Sequence, residues 1–228
     1  FNLFSSGNNP NAPNGTFYFV LSTAGGTGSQ MAVVSMLPVG GGAPSEAQIS
    51  GAINGGFNLR IAANGNLSLM GTMGNTQALG SLTANAMGTL RLKAGTQITA
   101  IGDIRLKALK RFVNETVNAG VLASSNGTWR VYSGNINPFG GDTADAVGGL
   151  VYEFKAYGVG AQQDFTESGA NGLDGFIYGF APTLTVASAT AVTKVYDGTT
   201  ALAGALPALT ITSPVAGDVL TVSGTPTG

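Results

Sequence analysis

Six of the ten basic residues in this chain of 228 are Arg91, Lys93, Arg105, Lys107, Lys110 and Arg111. Clustered cations of this kind hold sulfated glycans, lipopolysaccharide phosphates or nucleic acid. Alternation with Leu90, Leu92, Ile104 and Leu106 turns Arg91, Lys93, Arg105 and Lys107 outward from a strand. Only 14 residues separate positions 91 and 105. That is less than one coil of a stacked repeat, so the two pairs fall on different faces and solvated surface is the simpler reading. A glycan or other anion remains the ligand such a patch would take, and nucleic acid is not an expected partner.

The acids offer a second chemistry. Asp142, Asp145, Asp164, Glu167 and Asp174 lie in Gly-rich loops, where carboxylate oxygens can ligate Ca²⁺. Their spacing matches no calcium loop, so they read as turn acids, and no metal or cofactor is expected. Residues 1–139 contain only Glu46, Asp103 and Glu115 as acids, far apart along the chain. A polysaccharide lyase or hydrolase on a repeat scaffold needs carboxylates gathered on one face, so catalysis is not expected. Cysteine and histidine are absent, which removes thiolate nucleophiles, imidazole bases and zinc motifs together.

The elements that would position these groups are short. Asn58–Ile61, Asn66–Leu69, Ser81–Ala84, Thr89–Leu92, Gln97–Ala100 and Asp103–Leu106 each alternate apolar with polar residues, and Gly, Asn or Asp turns separate them. No such strand buries its apolar side alone, so the units must stack on one another. The expected fold class is all-β: a right-handed parallel β-helix (solenoid), followed by a partial β-sandwich (Ig-like) domain. With about 18–25 residues per coil and one strand spacing of rise, residues 1–180 would make roughly eight or nine coils and a rod about 40 Å long.

Further strands are expected at 17–21, 31–37, 113–117, 121–123, 149–157 and 176–180. In the strand at 149–157, Leu150, Tyr152 and Phe154 share one face. The aromatic-rich stretch 134–182 is expected to cap the open end of the core. A boundary near 181–183 divides a domain 1–182 from a domain 183–228, with strands at 184–187, 209–212 and 219–223. Trp129, the single tryptophan, reads as core or cap.

Charged residues are only 9% of the chain, against a usual value of about 25%. Residues 1–139 hold eight Lys/Arg and three acids, whereas 140–228 hold two Lys and eight acids. No run of 18 apolar residues occurs that could span a bilayer as a helix. The chain opens on Phe1 and closes on Gly228, which suggests a segment of a longer exported polypeptide with any signal peptide upstream.

Two passages carry a family likeness. Phe112-Val113-Asn114, then Leu122–Ser133 with its Asn126-Gly127-Thr128-Trp129-Arg130 run, Phe139-Gly140-Gly141, Gly148-Gly149-Leu150 and Phe176-Ile177-Tyr178, resemble the end of the β-helical stretch in two-partner-secreted exoproteins of the filamentous-haemagglutinin type. Thr128 stands where a basic residue is common in them. Lys194–Leu202, with Tyr196-Asp197-Gly198-Thr199 at its centre, and Gly217–Gly224 look like the opening half of a YDG (MBG) domain, a small β-sandwich repeated in bacterial surface adhesins. In that motif Asp-Gly makes a tight turn and Tyr packs beneath it.

The likeness implies a non-enzymatic adhesin or stalk at the surface of a Gram-negative bacterium. It also implies export through an outer-membrane β-barrel transporter and a glycan or protein receptor on a host or neighbouring cell. The other structural reading is self-association into an extracellular filament by stacking of strands and coils.

Overall fold

The computed structural model describes residues 46–160 and 172–188, the strands at 4–5, 19–20, 31–36 and 209–212, and residues 198, 215 and 218. For the three strands before residue 46, and for residues 186–188 and 209–212, the description covers the backbone alone. The chain divides into two compact units, Phe1–Phe180 and Ala181–Gly228.

In the first unit β1 (Phe4–Ser5) and β2 (Phe19–Val20) form an antiparallel pair. The coil follows. Its first turn is β3 (Met31–Met36), β4 (Ala47–Ile49) and the bridge residue Ile53. Its second is β5 (Asn58–Ala63), β6 (Leu67–Leu69) and β7 (Thr72–Met73). The third is β8 (Ser81–Ala86), β9 (Thr89–Leu92) and β10 (Gln97–Ala100), and the fourth β11 (Ile104–Ala108), β12 (Arg111–Asn114) and β13 (Leu122–Ser124). The fifth begins with β14 (Trp129–Ser133), beyond which β16 (Gly175–Tyr178) and then β15 (Phe154–Ala156) stack on the same face.

Strands of successive turns pair in parallel and in register, producing three sheets. A long face runs β3-β5-β8-β11-β14-β16-β15, a second face β4-β6-β9-β12, and a third face β7-β10-β13. The unit is therefore a parallel β-solenoid of about five turns, fewer than the eight or nine coils that even spacing suggests. The central turns do hold that spacing: polar contacts between them join residues 22 to 25 apart. At the end of the coil the step lengthens to 33 residues between β12 and the segment around Asp145, and to 45 between Trp129 and Asp174. Long loops consume the chain that further coils would have used.

The core follows from period-two alternation. On the long face one inward row is Leu59, Leu82, Ile104 and Trp129, and the next is Ile61, Ala84, Leu106, Val131 and Phe176. On the second face the rows are Ala47, Leu67, Leu90, Phe112 and Ile49, Leu69, Leu92, Asn114. All of these are buried. Small and branched aliphatics give way to aromatics toward the C-terminal end of the coil. There Phe176 packs edge-on against Phe112, Trp129 and Tyr152 at centroid distances of 5.8, 5.6 and 5.3 Å.

One corner is set by glycine for want of room. A Cβ on Gly80 would lie 2.9 Å from the Gly56 carbonyl oxygen, one on Gly102 2.8 Å from that of Gly80, and one on Gly127 2.6 Å from the Gly102 carbonyl carbon. Each of these residues leads into a rung of the long face.

The end of the long face departs from the sequence expectation. Only Phe154–Ala156 of the stretch 149–157 is strand, and it does not follow β14. The later strand β16 inserts between β14 and β15. Phe154 aligns with Gly175 and Arg130 on the outward row, while Lys155 aligns with inward Phe176. The alternation that groups Phe154 with Leu150 thus breaks before the strand begins.

In the second unit β17 (Thr185–Ser188) and β18 (Leu209–Thr212) pair antiparallel. The expected strand at 219–223 lies outside the described residues.

Candidate functional site

The six cations of the candidate anion patch divide between two faces and a corner. On the second face Arg91 lies between two carboxylates: Nε is 3.6 Å from Glu46 and Nη1 3.3 Å from Glu115. Lys93 adds a contact to Glu115 at 3.2 Å, and the Ser68 hydroxyl donates to Glu46. This string draws on all four turns of the face. Glu46 and Glu115, far apart in the chain, meet the same guanidinium because stacking makes them neighbours. The side chains are about a third exposed, so each pair stabilises by at most about 1 kcal/mol.

On the long face Arg105 pairs with Asp103 at 2.9 Å and donates to the Thr128 carbonyl and hydroxyl at 2.9 and 3.0 Å. Asp103 in turn accepts the Thr128 backbone N–H at 3.0 Å. The three residues form a closed link from the fourth turn to the fifth. Lys107 lies 5.4 Å above the Tyr132 ring. Between the two faces Lys110 is exposed, while Arg111 Nε donates to the Ala144 carbonyl at 2.8 Å.

Of the acids weighed as calcium ligands, Asp164 and Glu167 lie outside the described residues. Asp142 is exposed in the short 3-10 turn Gly141–Thr143. Asp145 accepts the Phe112 backbone N–H at 3.0 Å and an Asn135 amide N–H at 2.9 Å. Asp174 accepts the Trp129 backbone N–H at 2.7 Å, and its own N–H donates to Glu153 at 2.8 Å. Among the described residues no group of three potential ligands converges on a metal position. Asp145 and Asp174 each satisfy a backbone donor at or near a strand start, a structural use of the carboxylate.

Burial pushes both carboxyls above the ordinary range. For Asp145 desolvation outweighs the hydrogen bonds from Asn135, Ser133 and Phe112 and the nearby Arg111 charge. For Asp174 it outweighs the Trp129 hydrogen bond and the charges of Arg105 and Arg130, with Glu153 adding to the rise. A raised folded-state pKa means that the folded form holds the proton more tightly. The stabilisation is complete below the unfolded carboxylate value, about 4, and is lost as pH rises through the raised value. Asp145→Asn keeps an oxygen to accept the Phe112 N–H and removes the titration. Melting temperature measured across acidic to neutral pH is expected to fall with rising pH less steeply in this variant than in the native chain.

Alternation did not reveal the asparagines. Asn66 accepts the Thr89 N–H at 2.8 Å, Asn54 that of Thr76 at 2.9 Å, and Asn58 the Ser81 hydroxyl at 3.0 Å. Each reaches the next turn, and the only signal in the chain is the 22 to 23 residue offset. Asn114 is buried in a core row, where it accepts the Thr116 N–H and donates to the Val147 carbonyl, both at 3.0 Å. It anchors the loop that ends the regular coil. Trp129 is buried, as its reading required.

In the second unit Gly198 has φ +77° and is exposed, the left-handed conformation that a tight Asp-Gly turn uses. Tyr196, Asp197 and Thr199 lie outside the described residues. No curated protein and no solved structure matches the chain. Residues 181–228 match the YDG domain, so this chain joins a parallel β-solenoid of about five turns to a YDG domain.

Proposed function

We propose that the chain is a non-enzymatic segment of a secreted bacterial surface protein, acting as an adhesin or stalk. The observation that carries this reading is the succession of a β-solenoid and a YDG domain in one polypeptide. Stacked turns satisfy their own backbone groups and give reach, and the following domain extends the display. The charged groups fit a coil held together turn by turn: Arg91, Arg105, Asp103, Asp145 and Asp174 are each bound to a neighbouring turn.

In this reading the coil is right-handed, as strand twist favours for parallel crossovers, and residues 183–228 open an Ig-like sandwich. The protein belongs with two-partner-secreted exoproteins of the filamentous-haemagglutinin type. It leaves a Gram-negative cell through an outer-membrane β-barrel transporter and meets a glycan or protein receptor.

Protease shaving of intact producing cells tests the location: the chain is expected to be cleaved, and full protection overturns the reading. A cell-binding and glycan-array assay tests the receptor site. The triple variant Lys107→Ala, Lys110→Ala, Arg111→Ala is expected to lose binding to sulfated glycans. Unchanged binding removes this corner as the contact.

A further inference from the structure

Between β13 on the third face and β14 on the long face the chain turns through Ser125-Asn126-Gly127-Thr128. Packing requires the glycine: a Cβ on Gly127 would lie 2.6 Å from the Gly102 carbonyl carbon and 2.7 Å from the Asp103 nitrogen. The residue before it, Asn126, is exposed. An Asn-Gly pair is chemically reactive, because no Cβ hinders attack of the glycine nitrogen on the asparagine side chain. The close approach of two turns thus leaves a reactive pair directly ahead of the buried Trp129. Three successive amides at this corner are held. The Asn126 N–H donates to the Ile101 carbonyl at 2.7 Å, and the Thr128 N–H to the Asp103 carboxylate at 3.0 Å. Between them the Gly127 N–H donates to the Ser124 hydroxyl at 3.0 Å. That hydroxyl in turn donates to the Gly102 carbonyl at 2.8 Å, so the preceding turn fixes its lone pairs toward Gly127.

We propose that Asn126 is a latent self-modification site of the solenoid, and that the Ser124 hydroxyl suppresses its deamidation. In the reaction the Gly127 nitrogen gives its proton to solvent base and bonds to Asn126 Cγ. The bond from Cγ to the side-chain nitrogen breaks, ammonia leaves, and a succinimide ring closes. Water then opens the ring at one carbonyl to aspartate or at the other to isoaspartate. A Gly127 N–H bound to Ser124 is a weaker acid, and its nitrogen is turned toward Ser124 rather than toward Asn126 Cγ. Ring closure must first break that bond. The reaction would damage this corner in particular, because isoaspartate adds a methylene to the backbone. The Asn126 and Thr128 amides then shift against acceptors that belong to the preceding turn. Ser124 therefore protects the join between the third face and the rung of Trp129.

The test incubates the full chain, Ser124→Ala and Ser124→Thr in mildly alkaline buffer, with thermal melts to verify folding. Mass spectrometry of peptides that contain Asn126 and Asn54 follows deamidation, with isoaspartate separated from aspartate. Asn54-Gly55 is the control, because the Gly55 N–H donates to the backbone carbonyl of Gln77 at 3.1 Å. Ser124→Ala is expected to raise the rate at Asn126 about tenfold, the effect of one lost hydrogen bond to the attacking amide, and to leave Asn54 unchanged. Ser124→Thr, which keeps a hydroxyl, is expected to stay near the native rate. Equal rates at Asn126 in the native chain and Ser124→Ala overturn the proposal. So does a rise that Asn54 shares in proportion, the mark of a general opening of the coil. If Ser124→Ala does not fold, the native chain carries the test. Asn126 is then expected to react at least about tenfold more slowly in the folded chain than in urea, and equal rates overturn the proposal. None of these results depends on where the protein resides or what it binds.

Discussion

Phe176→Ala is expected to destabilise the solenoid by about 3–5 kcal/mol, the range for removing a fully packed aromatic from a core. Phe176 is 1% exposed and touches four other aromatic rings. Its ring meets Phe112 of the second face, Trp129 of the fifth turn, Tyr152 of the terminal loop and, in a stacked pair at 6.0 Å, Tyr178 of its own strand. Rings held from four sides cannot all close on the space left by one of them, so the void persists and its lining loses dispersion contacts. Urea unfolding followed by fluorescence checks the value, and Trp129, the only tryptophan, reports from 5.6 Å away. A loss under about 1 kcal/mol would mean that the end of the core collapses freely and that the aromatics do not act as one packed cap.

Gly74→Ala is expected to cost about 3–5 kcal/mol through a different mechanism. Gly74 has φ +78°, and a Cβ there would sit 2.0 Å from the Thr99 carbonyl oxygen of the following turn. Its N–H donates to Ile53 of the preceding turn at 2.7 Å. The left-handed conformation penalises any L side chain, and the clash is with backbone that cannot rotate away. Relief requires the second and third turns to separate on the third face. Gly95 supplies the internal control: its φ is +82°, but a Cβ there would meet nothing within 4 Å. Gly95→Ala should therefore cost only about 1 kcal/mol. Equal effects at the two glycines in parallel urea melts would show that strain at the turn, not the approach of the next coil, sets the requirement.

Alternation in the strands was legible because it needs no long-range information. Leu82, Ala84 and Ala86 must share one side of an extended chain whatever that chain pairs with. They are buried as one row, as are Ile104, Leu106 and Ala108. The separation of Arg91 from Arg105 onto different faces was legible for the same reason, since a coil is longer than the interval between them. The number of turns was not. Loops after β12 and β14 interrupt the period, and although the Gly-rich stretches that hold Asp142 and Asp164 read as loops, their lengths carry no signal of how many rungs they replace. The fate of the charges was equally hidden. Nothing in the local sequence of Glu46 announces Arg91, and nothing in Asp174 announces the Trp129 N–H, because stacking chooses lateral neighbours at offsets as large as 45 residues.

The amino-acid order alone determined that this protein is built of short stacked strands ahead of a domain that carries Tyr196-Asp197-Gly198. Side-chain period and turn chemistry act over a few residues, and a linear string records them directly. Which acid meets which base, where the coil stops and that a later strand slips in ahead of an earlier one were decided only in three dimensions. Those outcomes depend on contacts between turns, and the free energy of such contacts belongs to pairs of segments rather than to either segment.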